Sequence, residues 1–318
     1  MARTLTPERQ ALKADALQIR RELGWSERQI AKALGVPRQT INLWVNPGRP
    51  LADIPGHLSK VARNGVTGQA RNVSPLALNQ VHVMDATQGL RLIAPRSVDL
   101  IFADPPYNIG VNYGDGHNDA RVHDNYLLWC DQWFEACARV LKPGGSIYLM
   151  HYPKVCADWF HRLDRWFVFR HWITWHFYTN IGQSPTGWTS SQRAILYYTK
   201  GAGFTFNALA DPQPYRNPND KRIRELVANG SPGVTPYDVW EYNLVKNVSA
   251  EKTGWQNQVP LALVERIIKV SSKEGDLVCD PFMGSGTTAE AAARNNRRWI
   301  GFDNDGRSVV ETQRRIVI

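Results

Sequence analysis

The sequence predicts an α/β protein built on a mostly parallel sheet with helices on both faces, joined to a small all-α domain. Three observations carry that expectation. From about residue 80 onward, short apolar runs alternate with helix-length periodic segments, which is the rhythm of βαβ units. Two of those runs, Val98 to Ala103 and Asp276 to Cys279, lead straight into an Asp-Pro turn, and the carboxyl ends of strands are where open α/β sheets keep their ligands. The first 60 residues hold capped helical segments instead.

Composition narrows the class. The chain has 318 residues and is 43% hydrophobic, enough for one large α/β domain with a real core and a smaller second one. A formal charge of +9 favours a polyanionic partner, and its placement is uneven. Residues 1–79 carry twelve Lys and Arg against five Asp and Glu, a net of +7, which leaves +2 for the rest. The four cysteines show neither Cys-x-x-Cys spacing nor histidines at metal-ligand distance, so neither a disulfide framework nor structural zinc is expected. Cys130 and Cys137 lie two helical turns apart, as small residues on one core face do. No apolar segment approaches a membrane span and the first residues lack a hydrophobic signal region; a cytoplasmic protein without membrane contact is expected.

Thr6-Pro7-Glu8 opens a periodic helix that Gly24 ends. Ser26 caps a second, short helix bearing Ile30, Ala31 and Leu34, Gly35 supplies a tight turn, and Pro37 opens a third that packs through Ile41 and Trp44. This stretch resembles a DNA-binding helix-turn-helix, which implies that Arg38, Gln39 and Asn42 project into the major groove of double-stranded DNA. The irregular text that follows divides the chain into a helix-turn-helix domain over 1–60, a linker over 61–79 and a large domain over 80–318.

Within the large domain, a strand over Val81 to Asp85, a helix over Ala86 to Ile93, and the strand at Val98 precede Asp104-Pro105-Pro106-Tyr107. The Gly-, Asn- and Asp-rich loop from Asn108 to Asp124 is suited to closing over a substrate. A helix over Tyr126 to Leu141, the turn Lys142 to Gly145, and strands near 146–150, 167–175 and 194–198 continue the pattern. Residues 203–246 lose it, and read as an insertion that can vary without disturbing the sheet. A helix from Pro260 to Val270, the strand into Asp280, a Gly-x-Gly turn, the helix Ala289 to Arg294 and a strand ending in Asp303 complete the chain.

Two stretches carry chemistry. At Asp104-Pro105-Pro106-Tyr107, two prolines hold a carboxylate and an aromatic ring at a strand end. That pair suits a flat, amine-bearing heterocycle; equally, the Asp could cap the next element and the Tyr could pack on the core. Strand, Gly284-Ser285-Gly286 and helix form a nucleotide-type binding turn, with Asp303 some twenty residues on, where a ribose hydroxyl needs an acceptor.

Together, Asp104-Pro105-Pro106-Tyr107 and Asp280-Pro281-Phe282-Met283-Gly284-Ser285-Gly286-Thr287-Thr288 resemble the signature motifs of S-adenosylmethionine-dependent DNA amino-methyltransferases. The catalytic motif precedes the cofactor motif with an insertion between them, which is similar to the permuted β group containing restriction-modification and cell-cycle adenine methyltransferases. The resemblance implies a Rossmann-like methyltransferase sheet and a catalytic turn formed by Asp104, Pro105, Pro106 and Tyr107. It further implies that Asp280, Phe282, Gly284, Gly286 and Thr287 hold the cofactor's methionine part, Asp303 its ribose and Asp85 its adenine. It permits a homodimer. No metal is expected, and the insertion at 203–246 is expected to read the target site while the amino-terminal domain adds DNA affinity. The family's loop His-Pro-Thr-Gln-Lys-Pro is here Trp255-Gln256-Asn257-Gln258-Val259-Pro260, so only Gln258 and Pro260 match, and Gln258 is carried over as a cofactor contact. None of the cysteines follows a proline, which argues against methylation at cytosine C5. The expected reaction is methylation of adenine N6 in a flipped-out base. The alternatives are cytosine N4, or a helix-turn-helix regulator with an inactive methyltransferase body.

Overall fold

The computed structural model of the protein describes residues 76–108, 122–178 and 186–316, together with Ala31 and Ile41. The chain divides into two compact units, Met1–Val73 and Ser74–Ile318. Ala31 and Ile41 are both helical and Ile41 is fully buried, as the helix-turn-helix pattern requires of it. Arg38, Gln39, Asn42 and most of the loop after Asn108 lie outside the described residues.

The second unit is built in the order β1 (Gln80–Val83), α1 (Ala86–Leu92), β2 (Val98–Ala103), α2 (His123–Val140), β3 (Leu141–His151), α3 (Pro153–Leu163), β4 (Val168–His176), β5 (Gln192–Thr199), α4 (Lys221–Ala228), β6 (Val239–Glu241), α5 (Leu261–Ser271), β7 (Leu277–Asp280), α6 (Thr287–Arg294), β8 (Arg298–Asp303) and α7 (Arg307–Ile316). One eight-stranded sheet runs β1-β8-β7-β2-β3-β5-β4-β6. Only β5 is antiparallel to its neighbours.

The apolar run Leu100 to Ala103 of β2 is explained by burial on both faces. Ile101 and Ala103 enter a core with Leu90, Trp133, Phe134 and Trp159 from α1, α2 and α3. Leu100 and Phe102 enter a second core with Leu263, Val264 and Ile267 of α5 and Ala289 and Ala292 of α6. Cys130 and Cys137 are buried on the inner face of α2, the packing role their spacing predicts.

Several elements depart from the sequence reading: α4 and α7 are helices it did not include, and the expected turn Lys142 to Gly145 is the start of β3. The end of the insertion is core: β6 adds a parallel strand beside β4, pairing Trp175 with Trp240, whose side chain is buried and whose Nε1 donates to the Tyr237 carbonyl. Three residues are too few to show an alternating pattern. Helix α3 was also unread, although Pro153 at its first turn and Cys156, Trp159 and Leu163 on its buried face have helical spacing.

The topology positions the site. Strands β1, β8, β7 and β2 are neighbours and parallel, so their carboxyl ends lie along one edge of the sheet. Asp85, Asp303, Asp280 and Asp104 stand at or just beyond those four ends. This is the crevice that doubly wound sheets offer to ligands.

Candidate active site

Each of the four acids has local work. Asp85 caps α1, its Oδ1 accepting from the backbone N–H of Thr87 at 2.9 Å and of Gln88 at 3.2 Å. Asp280 accepts from Phe282 N at 2.9 Å through Oδ1 and from Thr288 Oγ1 at 2.5 Å through Oδ2. Both of its oxygens therefore shape the β7–α6 turn. Asp303 ties that turn to β8: its Oδ2 accepts from Gly284 N at 2.8 Å and its Oδ1 from Asp305 N at 2.9 Å.

Asp104 differs. Its Oδ1 is buried without a hydrogen-bond partner and the residue lines the cavity. Burial raises its carboxyl from 3.8 to about 7; the Asp280 charge acts in the same direction, while a hydrogen bond from Tyr107 and the charge of Arg193 oppose the rise. Burial likewise lifts Asp280 to about 7 against the hydrogen bonds from Thr288 and Phe282. Burial and the Asp280 charge thus both disfavour an ionised Asp104.

The cavity between these strand ends has a volume of about 230 Å³. Its wall includes Asp85, Asp104 to Tyr107, Asp280, Phe282, Gly284, Thr287 and Asp303, so nearly all the residues singled out in the sequence converge on one space. Phe282 packs on Trp129 and Trp133, and Trp129 shares the wall.

The two turn glycines separate. Gly284, at φ +52°, lines the cavity opposite Trp255, whose Nε1 would lie 3.1 Å from an added Cβ. Gly286, at φ +81°, is not on the wall; a Cβ there would lie 2.4 Å from Thr312 Oγ1 and 2.7 Å from Thr312 Cα. It is glycine so that α7 can approach the start of α6. Gln258 is also off the wall. Buried, it braces its loop by accepting from Thr253 N and Oγ1 and donating to the Glu251 carbonyl. Its neighbours Trp255, Gln256, Asn257 and Val259 are the ones that face the cavity.

A second layer lies beneath the turn from Asp104 to Tyr107. The Tyr126 hydroxyl donates to the Pro106 carbonyl at 2.9 Å and lies 3.1 Å from His151 Nε2. His151 Nδ1 accepts from Tyr152 N at 2.8 Å, so the ring proton sits on Nε2 and is donated to the Tyr126 oxygen. Burial, reinforced by the Arg193 charge, lowers His151 to about 3 and keeps it neutral. Tyr107 is almost wholly buried, with its edge contacts on His151 and Tyr152 at centroid distances of 4.9 and 5.2 Å. Sequence reasoning missed His151, Tyr126 and Arg193. The available signal was a lone charged residue, Arg193, in the otherwise uncharged β5.

The wall suits the cofactor that the resemblance implies. A glycine admits close approach of backbone, aromatic rings flank the space, and acids at the ends of β1 and β8 can accept from hydroxyl or amino groups. Among the described residues no group of three or more His, Cys, Asp and Glu could hold a metal ion, and no helix is long and apolar enough to cross a membrane.

Comparison with known proteins agrees with this geometry. The N6/N4 methyltransferase family model, described as DNA methylase, matches residues 98–313, and a homeodomain-like model matches residues 7–46. Type II methyltransferase M.HpaI of Haemophilus parainfluenzae is 37% identical over 225 residues, covering 69% of this chain and 68% of that protein. DNA adenine methyltransferase YhdJ of Escherichia coli is 34% identical over 239 residues, covering 69% and 76%. Among solved structures, the M1.HpyAVI–SAM complex aligns with a TM-score of 0.54 at 21% identity, covering 75% of this chain and 99% of that one. The cytosine-N4-specific PvuII DNA methyltransferase aligns at 0.57 and 16%, covering 74% and 85%. Family motif, sheet order and relatives agree, and the chain belongs to the N6/N4 DNA methylase family.

Proposed function

We propose that this chain methylates the N6 amino group of adenine in double-stranded DNA, with S-adenosylmethionine as methyl donor. The observation that carries the reading is the partnerless, buried Oδ1 of Asp104 on the wall of the cavity. An unsatisfied buried acceptor is costly and calls for a donor from the substrate. An exocyclic amine on a base is such a donor.

The amine is a weak nucleophile because its lone pair is delocalised into the ring. S-adenosylmethionine supplies an electrophilic methyl group on a sulfonium. Asp104 Oδ1 accepts one amine hydrogen. The Pro105 carbonyl accepts the second, while the next carbonyl, that of Pro106, accepts from the Tyr126 hydroxyl and holds the turn. Two acceptors held on a rigid turn favour a tetrahedral nitrogen whose lone pair points at the methyl, so alignment and polarisation supply the rate. Asp104 is then the nearest base for the proton the methylated nitrogen releases, and a carboxyl near 7 is matched to that task at neutral pH. A base paired in a duplex cannot reach this cavity, so it must be flipped out, with Tyr107 as its ring neighbour.

Asp85, Phe282, Gly284, Thr287 and Asp303 line the part of the wall assigned to the cofactor. Trp255, Gln256 and Asn257 join them, standing where the family's usual loop differs. Asp280 and Gly286 act one step back, by shaping the turn.

Asp at position 104 favours adenine, since cytosine-N4 enzymes of the family more often carry Ser there, and the likeness to YhdJ supports it. Cytosine N4 is the second reading, because it offers the same amine to the same acceptors and the sheet also matches a cytosine-N4 enzyme. Radiolabelled methyl transfer to duplex DNA, followed by nucleoside analysis, separates them. N6-methyladenine is expected; N4-methylcytosine alone would refute the adenine assignment.

A further inference from the structure

We propose that Arg193, which does not line the cavity, is the positioning residue of the catalytic turn: it clamps Tyr107 and provides the positive charge that compensates Asp104. This deepens the methyl-transfer reading and rests on it.

The geometry is specific. Arg193 enters from β5, where it pairs with Trp175 of β4 and precedes Ala194, the partner of His151 at the end of β3. Its guanidinium carbon lies 4.0 Å from the ring centroid of Tyr152, 5.4 Å from that of Phe177 and 5.5 Å from that of Tyr107. Nη2 donates to the Tyr152 hydroxyl at 3.2 Å and Nη1 to the Gln192 carbonyl at 3.0 Å. The Arg193 charge also acts on the Asp104–Tyr107 pair, favouring the ionised form of each. Three rings and two hydrogen-bond acceptors fix a planar fork in one place, which a flexible ammonium cannot reproduce.

Among the described residues no carboxylate forms an ion pair with Arg193, so its charge is not neutralised locally. The groups facing Asp104 come from every side of the turn. Tyr107 belongs to the turn itself, Tyr126 comes from α2, neutral His151 from β3, Asp280 from β7, and Asp85 and Asp303 from the shared wall. Arg193 is the cation of this set. It opposes the burial and the Asp280 charge that both favour protonated Asp104. The carboxylate is the stronger acceptor for the substrate's amine and the form that can take its proton, so removing Arg193 moves the active form to higher pH without touching the cofactor wall.

The test compares the wild type, Arg193→Met and Arg193→Lys in the full-length protein. The readouts are kcat/KM for methyl transfer to duplex DNA across pH, and S-adenosylmethionine binding by tryptophan fluorescence. For Arg193→Met the acidic limb is expected to move up by about one pH unit, costing about tenfold near neutrality and recovering at alkaline pH, with cofactor binding unchanged. Arg193→Lys is expected to keep the wild-type limb while losing several-fold in kcat at every pH, because charge is retained and the planar clamp is lost. An Arg193→Met profile lowered by one factor at all pH values, or superimposable on the wild type, overturns the proposal. If Arg193→Met fails to bind cofactor, the lysine variant decides alone: a shifted limb or a wild-type rate overturns it. A wild type that transfers no methyl group refutes the methyl-transfer reading itself, a result distinct from any of these.

Discussion

A carboxyl held near 7 in the folded protein has consequences for both rate and stability, and Asp104 shows them with opposite signs. For the reaction, the anionic form is the one that accepts an amine hydrogen, so kcat/KM is expected to fall about tenfold per pH unit as the pH drops below about 7. For stability, the folded chain holds this proton more tightly than the unfolded chain, whose carboxyl loses it near 4. The opposition to folding is therefore absent below about pH 4, grows as the pH rises, and is complete above about 7. Asp104→Asn keeps the shape of the side chain and removes the charge. It is expected to raise the thermal midpoint at about pH 8, leave it unchanged at about pH 4, and lower methyl transfer by about a hundredfold or more. Calorimetry at the two pH values and a methylation assay check both halves, and an equal thermal shift at both would show that charge is not the cause. Asp104 was readable as a candidate because a strand followed by two prolines fixes its place. Its dependence on Arg193 was not, because 89 residues separate the two and only the fold brings β5 beside the turn.

The turn between β7 and α6 shows how one motif can hold two different requirements. Gly284 faces the cavity, whereas Gly286 faces Thr312 of α7. Gly286→Ala adds a Cβ at a left-handed backbone position and drives it into the Thr312 backbone, so a loss of about 2–4 kcal/mol is expected. That corresponds to a lower Tm by on the order of 10 °C. Gly284→Ala meets only the Trp255 ring edge, and is expected to cost about 1 kcal/mol of stability while weakening cofactor binding, as thermal melts and equilibrium binding would show. Equal thermal losses in the two variants would contradict the separation. The sequence motif predicted a glycine at each position but not which neighbour required it. Helix α7, which supplies that neighbour, carries Arg307, Arg314 and Arg315 and resembles a solvated surface, yet Arg315 is buried and ion-paired with Glu290 of α6. Pattern reading finds elements whose burial follows hydrophobic period. It misses β6, which is too short to have one, and α4, which has no buried residue; α3 has such a period, carried by Cys156, Trp159 and Leu163.

At the scale of the whole chain, charge and chemistry are divided between regions: the amino-terminal 79 residues carry +7 of the net +9, while the four strand-end acids stand in the remainder. That asymmetry was visible from composition alone, and so was the order of the motifs. The target sequence was not, because reading base edges depends on which side chains reach a groove. We assign target reading to the insertion at 203–246, which presents Lys221, Arg222 and Arg224 on α4, and DNA affinity to the helix-turn-helix with Arg38, Gln39 and Asn42. Phosphate contacts set affinity and its salt dependence, whereas base contacts set the motif. Deleting residues 1–60 should therefore weaken DNA binding and flatten the dependence of log K on log salt by about 0.9 for each phosphate contact removed. The methylated motif should stay the same. Salt titrations of binding, with sequencing of modified bases in DNA treated by either form, measure both quantities. A changed motif after deletion would move target reading to the deleted residues, and an unchanged salt slope would remove the ten cations of residues 1–60 from the DNA interface.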